Sequence, residues 1–143
     1  MQTPNTDAHA GIDEFASRYV DVDSLEWQQS PFEGVSAKIL LQDENGGVRT
    51  MLVKMEPGAT IPDHEHTGLE QSYILEGTLE DHDGVCGPGQ YVWRPAGNRH
   101  VATSPDGALM LVMFETPNVY YDGPAKGGTM EELMARKTAP VEA

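Results

Sequence analysis

Cysteine is nearly absent: Cys86 stands alone among 143 residues. No disulfide can form within the chain, and a cluster of metal-binding thiolates is excluded. Basic residues are scarce too, nine Lys and Arg against 23 Asp and Glu, for a formal charge of −14. That balance excludes the phosphate neutralisation on which nucleic-acid binding depends, and it disfavours docking on anionic membranes. The acidic residues are scattered rather than blocked, so the charge reads as solubility and implies no acidic tail. Long apolar runs are missing as well. The longest, Ala108 to Phe114, is far too short to span a bilayer. Met1 to Gly11 carries no basic stretch followed by an apolar one, so no secretory signal is expected and the expected compartment is the cytoplasm.

What is present suits one globular domain, long enough to bury a core without disulfide staples and 38% hydrophobic. Residues 1–17 read as an N-terminal tail, loose and polar over residues 1–10. Residues 18–117 read as an all-β domain, and 118–143 as a C-terminal extension with a short helix. Strands are predicted at Arg18 to Val22, Val35 to Leu41, Val48 to Met55, Gln71 to Leu75 and Thr78 to Asp81. Others follow near Val85 and at Tyr91 to Arg94, His100 to Thr103 and Ala108 to Phe114. Glu44-Asn45-Gly46-Gly47 is a hairpin signal, because Asn-Gly tolerates positive φ at both central positions. In the following strand Met51, Val53 and Met55 share one face. Short strands with Gly and Pro punctuation indicate an antiparallel sandwich or barrel. Thr129-Met130-Glu131-Glu132 fits a capping box and predicts a helix over Met130 to Lys137.

The chemistry concentrates in Gly58 to Glu70. Side chains two apart on a strand point the same way, so His64 and His66 aim two imidazoles at one point if this stretch is extended. Glu70 can return a carboxylate from the next turn or strand. His100, just after the turn Pro95-Ala96-Gly97, reaches the same point if two strands are neighbours. Imidazole nitrogen with carboxylate oxygen suits iron, manganese, nickel, copper or zinc rather than a calcium cage. His9, in the tail, and His82, beside Asp81 and Asp83, read as solvated surface residues.

These residues fall on two spaced motifs, and the sequence resembles a monocupin of the RmlC-like superfamily. The first motif runs Gly58, five residues, His64-x-His66, three residues, Glu70, six residues, Gly77. The second runs Gly89, five residues, Pro95-x-Gly97, two residues, His100, and ends at Ser104, where that family more often has Asn. The resemblance implies a jelly-roll β-barrel binding one divalent metal ion inside through His64, His66, Glu70 and His100. Its short inter-motif segment, Thr78 to Pro88, implies a compact member. It also implies a homodimer, with Arg18 to Leu25 as the segment to watch. His-x-His-x-Gly followed by Glu-Gln-x-Tyr-Ile-Leu-Glu-Gly is similar to cupins that include an anti-sigma-factor sensory domain. The same neighbourhood includes dioxygenases acting on diketones or hydroxyaryl ketones.

The leading expectation is a mononuclear dioxygenase, with Fe(II) favoured and Zn, Mn, Ni or Cu as alternatives, acting on a small ketone, enol or aromatic molecule. A zinc site could instead serve a Lewis-acid isomerase, cyclase or lyase. A non-catalytic cupin that senses a small molecule or redox state is the other class. Tyr73, Tyr91, Trp93, Phe114, Met51, Met55, Leu111 and Met113 read as barrel core or pocket lining. Gln71 reads as a strand residue or a support for the ligands. Arg94 and Arg99 read as surface ion pairs or inward anion-holders, Asp63 and Glu65 as solvated, and Cys86 as structural.

Overall fold

Eleven strands, the longer ones with alternating buried and exposed residues, form among residues 1–138, the part of the chain that the computed structural model describes. The strands are β1 (Gln28–Gln29), β2 (Val35–Gln42), β3 (Arg49–Met55), β4 (Ala59–Glu65), β5 (Glu70–Gly77) and β6 (Leu79–Asp81). They continue as β7 (Gly84–Cys86), β8 (Tyr91–Arg94), β9 (Arg99–Ser104), β10 (Ala108–Phe114) and β11 (Val119–Tyr120). One sheet has the order β1-β2-β3-β10-β5-β8 and the other β11-β4-β9-β6-β7, all antiparallel. The sheets pack face to face over one core. Met51, Val53 and Met55 from β3 meet Ile74 from β5 and Met110 and Val112 from β10, with Ala59, Leu79 and Ala102 from the other sheet. This is a jelly-roll barrel.

Local chemistry explains the corners. Asn45-Gly46 turns the chain between β2 and β3, but only Gly46 takes positive φ, at 76°. The loop is longer than a two-residue turn: the Asp43 N–H donates to Val48 O at 2.9 Å, and the Gly46 N–H donates to Asp43 O. The Asp43 carboxylate accepts from the Asn45 N–H, supplying the bond a tighter turn would have made. Gly77 is confined more severely. It sits at φ 74°, and a Cβ there would lie 1.8 Å from Gly107 O, so the β5 end can pass the turn before β10 only without a side chain.

Two expectations need adjustment near the N-terminus, and the C-terminal helix forms as expected. Arg18 to Val22 is not a strand: Asp21 O accepts from both the Ser24 N–H and its hydroxyl, which favours a 3-10 turn over Val22–Ser24. The strand that pairs with β2 is instead β1, further along. The segment expected to be loose is tied at one point, where Gln2 bridges Gln42 and the buried Thr3 hydroxyl donates to Leu40 O at 2.7 Å. The helix α1 spans Met130–Thr138, with the Glu132 N–H donating to Thr129 Oγ1 at 3.1 Å. Its Leu133 is buried, and Met130 packs on the core.

Candidate metal centre

The β4 strand changes parity on its way to the site. Ala59 is buried and Ile61 faces the interior, so plain alternation would carry Asp63 and Glu65 inward. A bulge between Ile61 and His64 inserts one extra residue opposite β9 and reverses that parity. His64 and His66 therefore turn inward. Asp63 turns out to Arg99, at 2.7 and 3.0 Å, and the Arg99 guanidinium stacks on Tyr121. Pro62 sits at the bulge, where its missing N–H costs no ladder bond, and its carbonyl accepts from His64 Nδ1 at 2.7 Å.

Register does the rest. His100 on β9 is the direct cross-strand partner of His64, which brings their rings to 4.6 Å between centroids. His66 continues the ladder past β4, its N–H donating to Asn98 O and its carbonyl accepting from the Gly97 N–H. The nitrogen atoms that His64, His66 and His100 offer lie within 4.8 Å of one another, and all three residues are buried. Glu70 opens β5 opposite Arg94 on β8, and its Oε2 lies 2.7 Å from His66 Nδ1.

Protonation follows from the partners. His64 Nδ1 faces a carbonyl and His100 Nδ1 faces the Asp81 carboxylate at 2.8 Å, both pure acceptors. Each Nδ1 therefore carries the hydrogen, and each Nε2 presents a lone pair. Burial pushes the His64 pKa down to about 4, with the His100 and His66 imidazoles adding to the effect. Burial also lowers His100, and the Arg94 charge acts in the same direction. Burial alone would raise Glu70, but its contacts with His66 and Arg94 outweigh it and hold the carboxyl below its ordinary value. In the same way Asp81 falls to about 2 despite burial, through the Asp83 N–H, His100 and Arg94.

His66 supplies the test of whether a cation fits. Its Nε2 lies 3.0 Å from His100 Nε2, already a lone pair, and its Nδ1 faces the Glu70 carboxylate without the alignment of a hydrogen bond. A neutral imidazole has one N–H, so either tautomer leaves two lone pairs opposed. A cation held between the two Nε2 atoms removes the conflict and leaves His66 Nδ1 to carry its hydrogen toward Glu70. Two nitrogens each about 2.1 Å from one ion and at right angles lie about 3.0 Å apart, as His66 and His100 do. The residues fit a divalent metal ion.

Around this cluster lie residues that the sequence reading did not assign to it. Arg94 is buried and points inward, its Nη1 3.4 Å from Glu70 Oε1 and its Nη2 3.3 Å from Asp81 Oδ2. Asp81 thus links Arg94 to His100, and Ser72 donates to Glu70 Oε1. A cavity of about 120 Å³ adjoins the imidazoles, walled by Phe32, Met51, Val53, Met110, Val112 and Phe114.

Other expected residues go elsewhere. Met55 lies in the core, and Gln71, Tyr73, Tyr91 and Trp93 are on the outer face of the first sheet, where the Tyr91 hydroxyl donates to Gln71. Leu111 and Met113 share that outer face, half-buried. Glu65 accepts from the Tyr121 hydroxyl at the surface, and His82 pairs there with Asp83. His9 Nε2 contacts Tyr19 O, away from the site. Burial raises the Cys86 pKa, which keeps the thiol protonated. Ser104, where the motif departs from its usual Asn, is buried and donates to Thr78 O at 2.6 Å.

A jelly-roll barrel with three buried histidines converging inside it defines the cupin class. The sequence profile of the ChrR Cupin-like domain matches residues 16–118, and the chain belongs to that family. No curated protein sequence matches it. Among solved structures, a candidate acetylacetone dioxygenase from Methylibium petroleiphilum PM1 superposes with a TM-score of 0.73 at 18% identity, covering 90% of this chain and 99% of the other. An acetylacetone dioxygenase from Acinetobacter johnsonii gives 0.70 at 17%, covering 90% and 97%. The Rhodobacter sphaeroides complex of SigE with the anti-sigma ChrR gives 0.57 at 23%, covering 66% of this chain and 50% of that one. At these identities the likeness is one of fold. No helix among the described residues is long and apolar enough to cross a membrane.

Proposed function

We propose that the chain holds one divalent metal ion through His64, His66, His100 and Glu70 and acts, with Fe(II), as a dioxygenase on a small ketone, enol or aromatic substrate. The carrying observation is the opposed lone pairs of His66 and His100 beside an apolar cavity. Three imidazoles and one carboxylate leave further coordination positions open on an iron-type centre. When bound, Fe(II) supplies the one-electron chemistry that dioxygen requires and polarises a substrate oxygen. The chain's residues supply the rest. His64 and His100 present neutral lone pairs, and Asp81 fixes the His100 tautomer. Glu70 offsets the cation's charge. The apolar walls exclude water and admit a small organic body.

Mass-spectrometric metal analysis of protein purified without chelator, with oxygen uptake measured over a panel of ketones and phenols, tests the reading. About one iron per chain, absent from His64→Ala, with oxygen consumption by one substrate class, is expected. Protein without metal, and unable to take any up, would overturn it.

The match to the ChrR Cupin-like domain favours one other reading, a zinc-bound sensor that answers a small molecule or a redox signal without turnover. About one tightly held zinc per chain and no oxygen uptake would select it. Either reading is compatible with a cytoplasmic homodimer. Phe15 and Tyr19 are 90% and 86% exposed, and Tyr73, Tyr91 and Trp93 stand out from the first sheet, an amount of bare apolar surface that a second copy would cover.

A further inference from the structure

Three neighbouring histidines aim at one point only if something sets each ring. His64 is held at Nδ1 by a backbone carbonyl, Pro62 O, so its own strand fixes it. The Nδ1 atoms of His66 and His100 face carboxylates instead. Glu70 Oε2 lies 2.7 Å from His66, close but off the line of a hydrogen bond, and Asp81 Oδ2 lies 2.8 Å from His100. A carboxylate turns on its own side-chain torsions, so these two rings are only as fixed as Glu70 and Asp81 are.

One side chain reaches both carboxylates. Arg94 is buried, its Nη1 donating to Glu70 Oε1 at 3.4 Å and its Nη2 to Asp81 Oδ2 at 3.3 Å. Arg94 and Glu70 are cross-strand partners on β8 and β5 of one sheet, whereas Asp81 and His100 lie on β6 and β9 of the other. The guanidinium therefore ties the two sheets, and the contacts close a loop. It runs from His66 to Glu70, Arg94, Asp81 and His100, and returns to His66 across the 3.0 Å between the two Nε2 atoms. Every step but the last sets a donor against an acceptor. The last opposes two lone pairs, and that is where a cation fits. A guanidinium offers separate N–H groups at a fixed spacing, whereas a lysine ammonium would supply the charge without that spacing.

We propose that Arg94 is a positioning residue for the metal centre: by holding Glu70 and Asp81 at one spacing, it turns the His66 and His100 Nε2 atoms toward a common ion. This rests on the metal reading given above and assigns the aim of two ligands to a residue that is not itself a ligand. The rival role is charge alone. Glu70 and Asp81 attract a cation with two negative charges, and Arg94 cancels one of them. On that account, removing the Arg94 charge strengthens metal binding.

Zn(II) is the probe, being diamagnetic and so readable by NMR. Wild type, Arg94→Lys and Arg94→Met are compared by competition against a chelating indicator and by 15N NMR of the imidazoles. Arg94→Lys should bind Zn(II) about 10–100-fold more weakly than wild type although it keeps the charge. In that Zn(II)-bound variant the Nδ1–H signals of His66 and His100 should broaden by exchange with water, while that of His64, held by Pro62 O, persists. A purely structural role would move all three signals together or none. Arg94→Met should bind more weakly as well, and tighter binding than wild type would overturn the proposal in favour of charge. Affinity of Arg94→Lys within about threefold of wild type would overturn it too. Should both variants fail to fold, wild type alone carries the test. Distinct, slowly interchanging Arg94 Nη signals are expected in the Zn(II)-bound protein, and a single averaged signal would overturn the proposal. Wild type that takes up no Zn(II) would overturn the metal reading and this proposal together, whereas unchanged uptake by Arg94→Lys removes this one only.

Discussion

Asp81→Ala separates what the site's outer polar groups do for the fold from what they do for a metal. The Asp81 side chain is 7% exposed, and its Oδ2 serves two partners, His100 Nδ1 at 2.8 Å and Arg94 Nη2 at 3.3 Å. Removing it leaves the buried Arg94 guanidinium with Glu70 alone, at 3.4 Å. Deleting one partner of a buried ion pair costs about 3–5 kcal/mol, and because Glu70 remains, the lower end, about 3 kcal/mol, applies. For a domain of this size that lowers the melting temperature by about 10 °C. A typical domain stability of about 5–15 kcal/mol leaves the variant folded at 25 °C. The second effect is on the imidazole. Without its acceptor, His100 is no longer held with Nε2 as the lone pair, and loss of such a support weakens metal binding by about 10–100-fold.

Calorimetric melting of the metal-free protein and competition against a chelating indicator at pH 7.5 read the two effects independently. The comparison variant is Asp63→Asn. Its ion pair with Arg99 is shorter, but the two side chains are 30% and 49% exposed, so water and salt screen it and neither reading should move. If Asp81→Ala melts with wild type, the buried-charge argument is wrong. If it melts early but binds metal within threefold of wild type, Asp81 supports only the fold.

Acid should destabilise the metal-free protein in a defined window. His64 has its pKa depressed to about 4 from 6.5, so below pH 6.5 the unfolded chain takes up the proton first and stability falls until about pH 4. His100 shifts in the same direction, whereas the lowered carboxylates begin to act only as the pH nears their ordinary values, 4.5 for Glu70 and 3.8 for Asp81. Urea titrations from pH 7.5 to 4 check this, and a flat profile would mean that the imidazoles are not held neutral. Gly77→Ala should destabilise the barrel by about 3 kcal/mol or more, because its Cβ would meet Gly107 O at 1.8 Å in a left-handed backbone. A melting temperature within two degrees of wild type would show that the 77–108 crossing is not as tight as described.

The strands were legible wherever one face is buried. In β3 the alternation of Met51, Val53 and Met55 against Leu52 and Lys54 reports a sheet with a wet and a dry side, and the observed strand begins one residue after the predicted one. Arg18 to Val22 misled because apolar Tyr19 and Val20 suggested a strand, while the following Asp21 and Ser24 had local partners that bend the backbone. Strands of two residues, β1 and β11, carry no period to detect and exist only because a longer neighbour offers them a ladder.

The centre was legible to the extent that its spacing is local. His64 and His66 are two apart, and their common direction survives the bulge because the extra residue lies before both. What sequence spacing could not show is which buried charges answer one another. Arg94 follows Trp93 in a strand whose outer face bears aromatics, so a surface ion pair was the simpler reading, yet its partners lie on β5 and β6. Asp81 sits between Glu80 and His82 before an Asp-Gly turn, where a solvated carboxylate is the ordinary outcome. One signal pointed the other way. A strand that opens on an inward Leu79 and alternates must also turn Asp81 inward, and an inward carboxylate in a barrel containing three histidines needs a donor. Period-two reasoning applied to the polar residue, as it was to the apolar ones, would have brought Asp81 to His100.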